Sequence, residues 1–595
     1  MDPQEKVRNL RHTLSHVLAH AVLNLYGPKV KFGIGPVIES GFYYDFEFPK
    51  PISDADLPKI EEEMQRLIKK NLEMKQETHH LAQALDMMKK AGQTFKEELL
   101  KEIQKGEREK VKGVKKGEVS FYRLGDFLDL CKGGHIKNTS EIPQDSFKLL
   151  NLAGAYWKGS EQNPMLTRIY AAAFTTKKEL DEYLKLVEEA KKRDHKKLGP
   201  KLELFIFHET SPGMPYWLPK GVIIYNELVN FWRQEHRARR YQEIVSPLLN
   251  KKELYVTSGH FEHYWQDMFV VKSVEGVEYG VKAMNCPNAM VVFGSKLRSY
   301  KDLPLRLSDT DTLHRDELSG TLNGLLRVRE FRQDDAHIFV TEEQIGEEYE
   351  RIFEIVERFY SLFEMSYTFR LGTRPEKFLG DAKTWGKAED TLKIILKKSG
   401  KKFTIEEKEG AFYGPKVDIL MKDALGRDWQ MGTIQLDFQQ PRRFKLEYID
   451  AKGKKQTPIA IHRVIYGSLE RFIGILIEHF AGAFPLWLAP VQVAILPISD
   501  ELNDYAQKIV SDLRFKIYDL RIEVDQRSES VGRKIREAEL QKIPYMLIVG
   551  KKEKETGTIS VRQRGEKDLG VMKIDKFAEK ITKEIETKTP SLSPP

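Results

Sequence analysis

Cysteine is almost absent: Cys131 and Cys286 are the only two in 595 residues. They stand in distant segments, so a disulfide framework is excluded and a reducing compartment fits. No apolar run reaches the roughly 18 residues that a membrane span requires, so no membrane partner is expected. The first residues carry no apolar h-region, so no secretory leader is expected either, and the expected location is the cytoplasm. No repeat of fixed period occurs, which excludes solenoids and propellers. Charge of one sign is not in large excess. Lys+Arg is 97 and Asp+Glu 89, a formal net charge of +8, which permits an anionic partner without demanding one.

The length implies about three or four domains. Hydrophobic residues make up 41% of the chain, enough for a core in each. Residues 1–176 mix helix and strand. Within them, 12–25 has helical spacing, aromatic-rich 37–48 reads as strand broken at Gly41, and Lys/Gly-rich 104–119 reads as an exposed loop. Residues 177–199 read as a charged linker helix with Leu180, Tyr183, Leu184 and Val187 on one face, stopped by Gly199 and Pro200. The largest block is 200–488. There a helix bearing Leu228, Phe231 and Trp232 leads into a strand over 241–247 that ends at Pro247. Further strands are expected at 326–331, 417–421 and 433–438, and a helix at 467–481. From 490 onward, strands at 491–496, 517–524, 545–549 and 558–562 alternate with helices at 501–515, 533–541 and 575–586. That alternation implies an α/β domain over 489–588. The Ser/Pro-rich end, 589–595, reads as a disordered tail.

Three sets of residues carry chemistry. The first is LHRDE at 313–317, with Arg315 and Glu317. It continues in RVREFRQDDAH at 327–337, with Arg327, Phe331, Gln333, Asp335 and His337, and in GSLERFIG at 467–474, with Arg471. Arginine stays charged and grips phosphate oxygens in bidentate fashion, so an ordered set of arginines suits a reaction that brings anions together. The second set is Cys286, His337 and His462. These residue types can bind zinc, but separations of 51 and 125 residues do not by themselves define a metal site. The third is RHTLSHVLAH at 11–20 with DLCKGGH at 129–135. It puts His12, His16 and His20 near one helix face and adds Asp129, Cys131 and His135. By ligand type this set can also hold zinc. Of the three helix histidines, His20 is read as the scaffold residue.

These segments resemble the motifs of class II aminoacyl-tRNA synthetases: 313–337 is similar to motif 2, 467–474 to motif 3, and the helix and strand ending at Pro247 to motif 1, the dimer-forming element. The resemblance is closest to the threonyl-tRNA synthetase family and runs from Arg11 to Gly570. It implies an α+β and α/β multidomain chain. Its parts are an N-terminal α+β editing domain over 1–176, a class II antiparallel-sheet catalytic core over 200–488 and a C-terminal α/β anticodon-binding domain over 489–588. The small extra N-terminal domain of many such enzymes is expected to be missing.

The resemblance further implies activation of L-threonine by ATP with Mg2+ and transfer to tRNA(Thr). It also implies hydrolysis of mischarged seryl-tRNA(Thr), and a homodimer with one Zn2+ per subunit. Arg315 then meets the α-phosphate and Arg471 the γ-phosphate, Glu317 reads the adenine amino group, Phe331 stacks on the ring, and Arg327, Gln430 and Thr433 complete the ATP site. Met284, Gln333, Asp335, Tyr413 and Gln435 line the threonine site, and Cys286, His337 and His462 hold zinc. His12, His16, Tyr44, Asp129, Cys131 and His135 form the editing site, whose metal content is left open; there Asp129 is expected to orient a histidine. Glu553 and Arg562 contact the anticodon. Asn288 departs from the family's commoner Cys-Pro-Gly-His while the zinc ligand is kept. The class I signatures His-Ile-Gly-His and Lys-Met-Ser-Lys-Ser are absent. The zinc contexts and the editing segment argue against a prolyl or seryl enzyme. A non-catalytic paralogue is expected to have lost Arg315, Arg471 or a zinc ligand, and none is lost.

Overall fold

The computed structural model describes residues 2–106, 117–160, 162–423, 426–565 and 567–589. Residues 107–116 of the expected loop and 590–595 of the expected tail lie outside the described residues. The chain divides into two units, Met1–Glu188 and Glu189–Pro595. Among the described residues no helix is long and apolar enough to cross a membrane.

The first unit opens with the helix Pro3–Tyr26, capped by Asp2, whose carboxylate accepts from the Gln4 N–H at 3.3 Å. Leu10, Leu14, Val17, Leu18, Ala21 and Val22 recur at helical spacing and are buried. They join one core with the inward residues of an antiparallel sheet ordered Lys31–Phe32, Gly41–Glu47, Met165–Ala173, Phe147–Tyr156. Gly41 begins its strand, where an added Cβ would lie 1.9 Å from the Ala171 carbonyl oxygen. Only glycine allows that approach. A second sheet, Met74–His80, Glu118–Leu124 and Phe127–Leu130, packs against the helices Leu81–Lys90 and Thr94–Lys105.

The second unit is built on eight strands ordered Gln242–Glu243, Leu305–Asp309, Asp335–Val340, Ile459–Val464, Asp428–Asp437, Lys416–Lys422, Ser366–Gly372, Phe403–Glu406. The six inner strands are antiparallel to their neighbours, and each end strand is parallel to its one neighbour. The helices Pro219–Ala238, Ile345–Ser361 and Leu469–His479 share a core with this sheet through Leu228, Phe231, Trp232, Ile352, Phe359, Phe472 and Leu476. The C-terminal part carries a smaller sheet ordered Ile522–Val524, Val493–Pro497, Tyr545–Val549, Thr558–Gln563, Lys567–Lys573. Its first three strands are parallel, joined through the helices Asn503–Lys516 and Val531–Leu540, and the last two are antiparallel.

Several local expectations are corrected. The strand expected at 326–331 is only Glu330–Arg332, because the backbone before it is spent on a turn: the Leu326 N–H and the Arg327 carbonyl pair with Asn323, the Leu326 carbonyl accepts Arg471, and the Arg329 N–H goes to the Gly213 carbonyl. The strand before Pro247 shrinks to Gln242–Glu243, and that at 517–524 to Ile522–Val524. Gly199 and Pro200 do not stop the linker helix. It ends at Arg193, where Asp194 caps a new helix, His195–Lys201, accepting from the Lys196 N–H at 2.9 Å, and Pro200 sits inside that helix.

Candidate active site and a second histidine cluster

Register builds the floor of the main site. His337 lies opposite His462 on adjacent strands, and His462 lies opposite Gln435 on the next. Three side chains 27 to 125 residues apart thus stand in one row on one sheet face. The period of two along a strand adds Asp335 beside His337 and Thr433 beside Gln435. Cys286 enters from the first turn of the helix Cys286–Gly294. One ligand atom from each of Cys286, His337 and His462 lies within 4.8 Å of the others.

Their chemistry suits a zinc ion. His462 Nε2 is 2.9 Å from the Asp437 carboxylate, which can only accept; the ring therefore donates from Nε2, and Nδ1 is the nitrogen left available to a metal. A carboxylate behind an imidazole is the arrangement that orients a metal-binding histidine. Burial, then the neighbouring His462 and Arg463, push His337 well below the usual imidazole range, so it is a neutral donor. Three such ligands leave one tetrahedral position for substrate.

A cleft of about 580 Å³ opens over this floor. All fifteen residues expected for ATP, threonine and zinc line it. Arg315 sits 5.1 Å from the centre of the Phe331 ring, within cation–π range. Arg471 donates from Nε to the Leu326 carbonyl at 2.9 Å and from Nη1 to the Gln430 carbonyl at 3.4 Å. Burial, then the charges of Arg327 and Arg315, lower its pKa against a smaller pull from Glu317. Three guanidinium groups therefore converge on one partly buried space, an arrangement that selects a polyanion. Glu317 accepts from Arg327 at 2.9 Å. Gln430 and Thr433 both donate to the Asp418 carboxylate, at 2.9 and 3.2 Å, and Arg370 closes the network on Asp418 and Gln430. On the threonine side, Asn285 donates to Asp335 at 3.2 Å and Tyr413 donates to Gln435.

The second cluster lies in the first unit. His12 and His16 share a helix face, and His135 stacks on His12 with ring centres 4.1 Å apart. Cys131 Sγ is 3.4 Å from His12 Nε2 and 3.2 Å from His135 Nε2. Burial holds the Cys131 thiol up at about 12 and depresses His12, His16 and His135 below the usual imidazole value. All four are neutral groups near pH 7. Tyr44 and Asp129 meet beside them, the Tyr44 hydroxyl donating to Asp129 at 2.6 Å. The expectation that Asp129 orients a histidine is corrected: its two oxygens are taken by Tyr44 and Lys96. The His12 ring is instead set by the Gly134 carbonyl at 3.3 Å and that of His135 by Thr13 at 3.3 Å. His20 lies outside the cluster, stacked on Phe127 with centres 5.8 Å apart.

Sequence reasoning missed several residues here. Lys96 is buried, with Nζ 2.6 Å from Asp129 and 3.2 Å from the Tyr44 hydroxyl. The signal was a lysine on an apolar stripe, three, four and seven residues before Leu99, Leu100 and Ile103. His260 lines the cleft with Nε2 3.7 Å from Cys286 Sγ and Nδ1 held 2.8 Å from Ser258; burial, then the neighbouring His462, lowers its pKa to about 3. No motif marked it, nor Asp418 and Arg370.

At the C-terminal end, Glu553 caps its own helix Lys551–Thr556 by accepting from the Gly550 N–H at 2.9 Å. Arg562 follows on the strand Thr558–Gln563, and its buried Nε has no hydrogen-bond partner among the described residues.

Comparison with known proteins bears on all three regions. Residues 269–480 match the class II tRNA synthetase core domain of the G, H, P, S and T enzymes. Residues 492–584 match an anticodon binding domain, and 119–170 match the second additional domain of threonyl and alanyl tRNA synthetases. A threonine-tRNA ligase of Caldanaerobacter subterraneus is 51% identical over 97% of this chain and 87% of that protein. One of Clostridium botulinum is 50% identical over 98% of this chain and 89% of its own length. Among solved structures, the RNA binding domain of threonyl-tRNA synthetase from Cryptosporidium parvum is 40% identical, with a TM-score of 0.64, over 67% of this chain and 99% of that one.

Proposed function

The chain belongs to the threonine-tRNA ligase family, and from that premise we propose how its residues carry the reaction. The enzyme joins L-threonine to tRNA(Thr) at the expense of ATP, which it splits to AMP and pyrophosphate. The observation that carries the residue assignments is the convergence of Arg315, Arg327 and Arg471 in one cleft over Cys286, His337 and His462.

In the first step the threonine carboxylate attacks the α-phosphorus of ATP, bound with Mg2+, and pyrophosphate leaves. Arg315 meets the α-phosphate oxygens, where negative charge grows, and Arg471 the γ-phosphate. Cations already fixed in place need no reorganisation at the moment of reaction. Phe331 stacks on the adenine. Glu317 reads the adenine amino group with the carboxylate that Arg327 otherwise holds, so nucleotide binding shares or loosens that ion pair. Gln430 and Thr433, pinned by Asp418, serve the ribose and adenine side. Met284, Gln333, Asp335, Tyr413 and Gln435 enclose threonine. Valine is nearly isosteric with threonine, and shape alone rejects such a pair by only about a hundredfold. One Zn2+ per subunit, held by Cys286, His337 and His462, supplies when bound an acceptor for both the amino and hydroxyl groups of threonine, which valine cannot match.

Serine offers the same two groups, and the methyl it lacks is worth only about 1–3 kcal/mol. The His12, His16, Cys131 and His135 cluster therefore serves as the hydrolytic site for seryl-tRNA(Thr). Water attacks the seryl ester carbonyl while a neutral imidazole takes its proton; the acyl–ribose C–O bond then breaks, the imidazole returns the proton to the ribose oxygen, and serine is freed. Tyr44 and Asp129, tied together by Lys96, form its wall.

The proposed domains are editing over 1–176, a linker over 177–199, the catalytic core over 200–488 and anticodon binding over 489–588, with Glu553 and Arg562 on the RNA. The chain acts as a homodimer in the cytoplasm, which cell fractionation checks. The deciding experiment is ATP–pyrophosphate exchange with each of the twenty amino acids. Strong exchange with threonine, weak with serine and nearly none with valine is expected; equal exchange with valine would overturn the zinc reading.

A further inference from the structure

Behind the cleft, His195 is buried to 1% exposure. Its Nδ1 lies 2.6 Å from Glu478 Oε1, and its Nε2 accepts the backbone N–H of Leu325 at 3.1 Å. An amide N–H can only donate, so Nε2 is bare and the ring proton sits on Nδ1, facing Glu478. The other Glu478 oxygen is held by Arg427. Burial opposes the charge on Glu478, but the hydrogen bonds from His195 and Arg427 outweigh it and keep its pKa at about 2. Asp194, His195 and Glu478 are close enough to suggest a metal site, yet both ring nitrogens are already spent. The group is a hydrogen-bonded brace.

What it braces is the turn that enters the cleft. Leu326 accepts Arg471 Nε at 2.9 Å on its carbonyl, and Arg327 follows directly. The turn closes on itself through Asn323 N–H to the Arg327 carbonyl at 3.1 Å and Leu326 N–H to the Asn323 carbonyl at 3.0 Å. Lys196, next to His195, donates to the Asn323 side chain at 3.1 Å. Gly324 has φ +51°, and a Cβ there would stand 2.3 Å from His195 Nε2. The imidazole is pressed against the turn so closely that only glycine fits.

We propose that His195 is a positioning residue for the ATP half of the reaction: it fixes the 323–327 turn, which in turn aims Arg471 and Arg327 at the triphosphate. The threonine pocket, built on the sheet, does not depend on it. This rests on assigning the cleft to ATP.

Two variants of the full chain separate the two ring nitrogens. His195→Asn can keep a donor toward Glu478 but offers no acceptor to Leu325. His195→Gln can place an oxygen near the lost Nε2. In pyrophosphate exchange, kcat/KM for ATP is expected to fall roughly ten- to hundredfold in His195→Asn, the scale of a small misplacement of catalytic groups. The KM for threonine should stay within about twofold, and His195→Gln should recover most of the loss. The proposal is overturned if the two variants behave alike, or if ATP and threonine parameters fall together. Should His195→Asn fail to fold, Gly324→Ala carries the test: an ATP-selective loss supports the brace, and unchanged ATP kinetics overturns it. A parent protein without ATP exchange would defeat the assignment of the cleft itself, whereas an active parent with indifferent variants defeats only the role of His195.

Discussion

Removing Arg471 should separate activity from stability, and the structure gives both signs. Arg471→Ala deletes one fixed donor to the triphosphate. Loss of one preorganised transition-state donor costs about 2.7–4 kcal/mol, roughly 10²–10³ in rate. The folded state loses two hydrogen bonds to backbone carbonyls, at 2.9 and 3.4 Å, each worth about 0.5–1.5 kcal/mol net. Against that loss stand two gains. A partly buried guanidinium is no longer desolvated, and its repulsion by Arg327 and Arg315 disappears. These terms nearly cancel, so the expected stability change is within about 1 kcal/mol, a Tm shift of no more than about 2–4 °C. Arg471→Lys keeps the charge but not the planar fork, and should fall between parent and alanine variant. Exchange kinetics at varied ATP and a thermal melt of the same sample test this. A variant that melts many degrees lower, yet activates threonine at near-parent rates, would refute the reasoning and make Arg471 a structural cation.

Five further outcomes are expected. Elemental analysis of the purified protein should find one zinc per chain, and Cys286→Ser should lose most of it; unchanged zinc in that variant sinks the ligand set. A His12→Ala, His16→Ala double variant should form threonyl-tRNA at the parent rate while clearing preloaded seryl-tRNA far more slowly. In the parent, burial holds these imidazoles below 6.5, so the neutral, active form persists as pH falls through 6.5, and the acid limb of clearance should lie below that value; a limb at or above it contradicts the neutral-imidazole reading. Arg562→Ala should slow aminoacylation of tRNA and leave amino-acid activation intact, and an equal loss in both steps would make the residue structural. Light scattering at micromolar concentration should give the mass of a dimer, against which a monomer mass would count.

What could be read from the sequence followed from how local each feature is. Asp335 and His337, two apart in one strand, and His12 and His16, four apart in one helix, declare a shared face through period alone. The charged run from Arg315 to His337 and the later segment with Arg471 are long enough to be recognised as an ordered set. Helices with a clean apolar stripe, such as Ile574–Glu586, fell within a residue or two of their expected ends. The apolar run of Leu325, Leu326 and Val328 misled for a physical reason. It has the composition of a strand, but the Leu325 N–H goes to His195, the Leu326 N–H to the Asn323 carbonyl and the Leu326 carbonyl to Arg471, none of them to a neighbouring strand.

The unread residues share a different property: each works through a partner that only tertiary register supplies. His195 and Glu478 are 283 residues apart, and neither stands in a recognisable motif, so the brace between them has no linear trace. Asp418 and Arg370 matter because they hold Gln430, and Lys96 because it closes on Asp129 and Tyr44. Such second partners are single polar residues in apolar surroundings, which a sequence presents as isolated exceptions to a pattern. The exception is itself informative. A charged or titratable residue on an otherwise buried face is costly unless paired. Lys96 on its leucine stripe therefore requires a carboxylate partner, and Asp129 is that partner. The same logic applied to Glu478, within a helix otherwise buried along Phe472, Ile473 and Leu476, requires a cation and a further hydrogen-bond donor behind the cleft. His195 and Arg427 meet that requirement, and one of them passes it forward to the turn that holds Arg471.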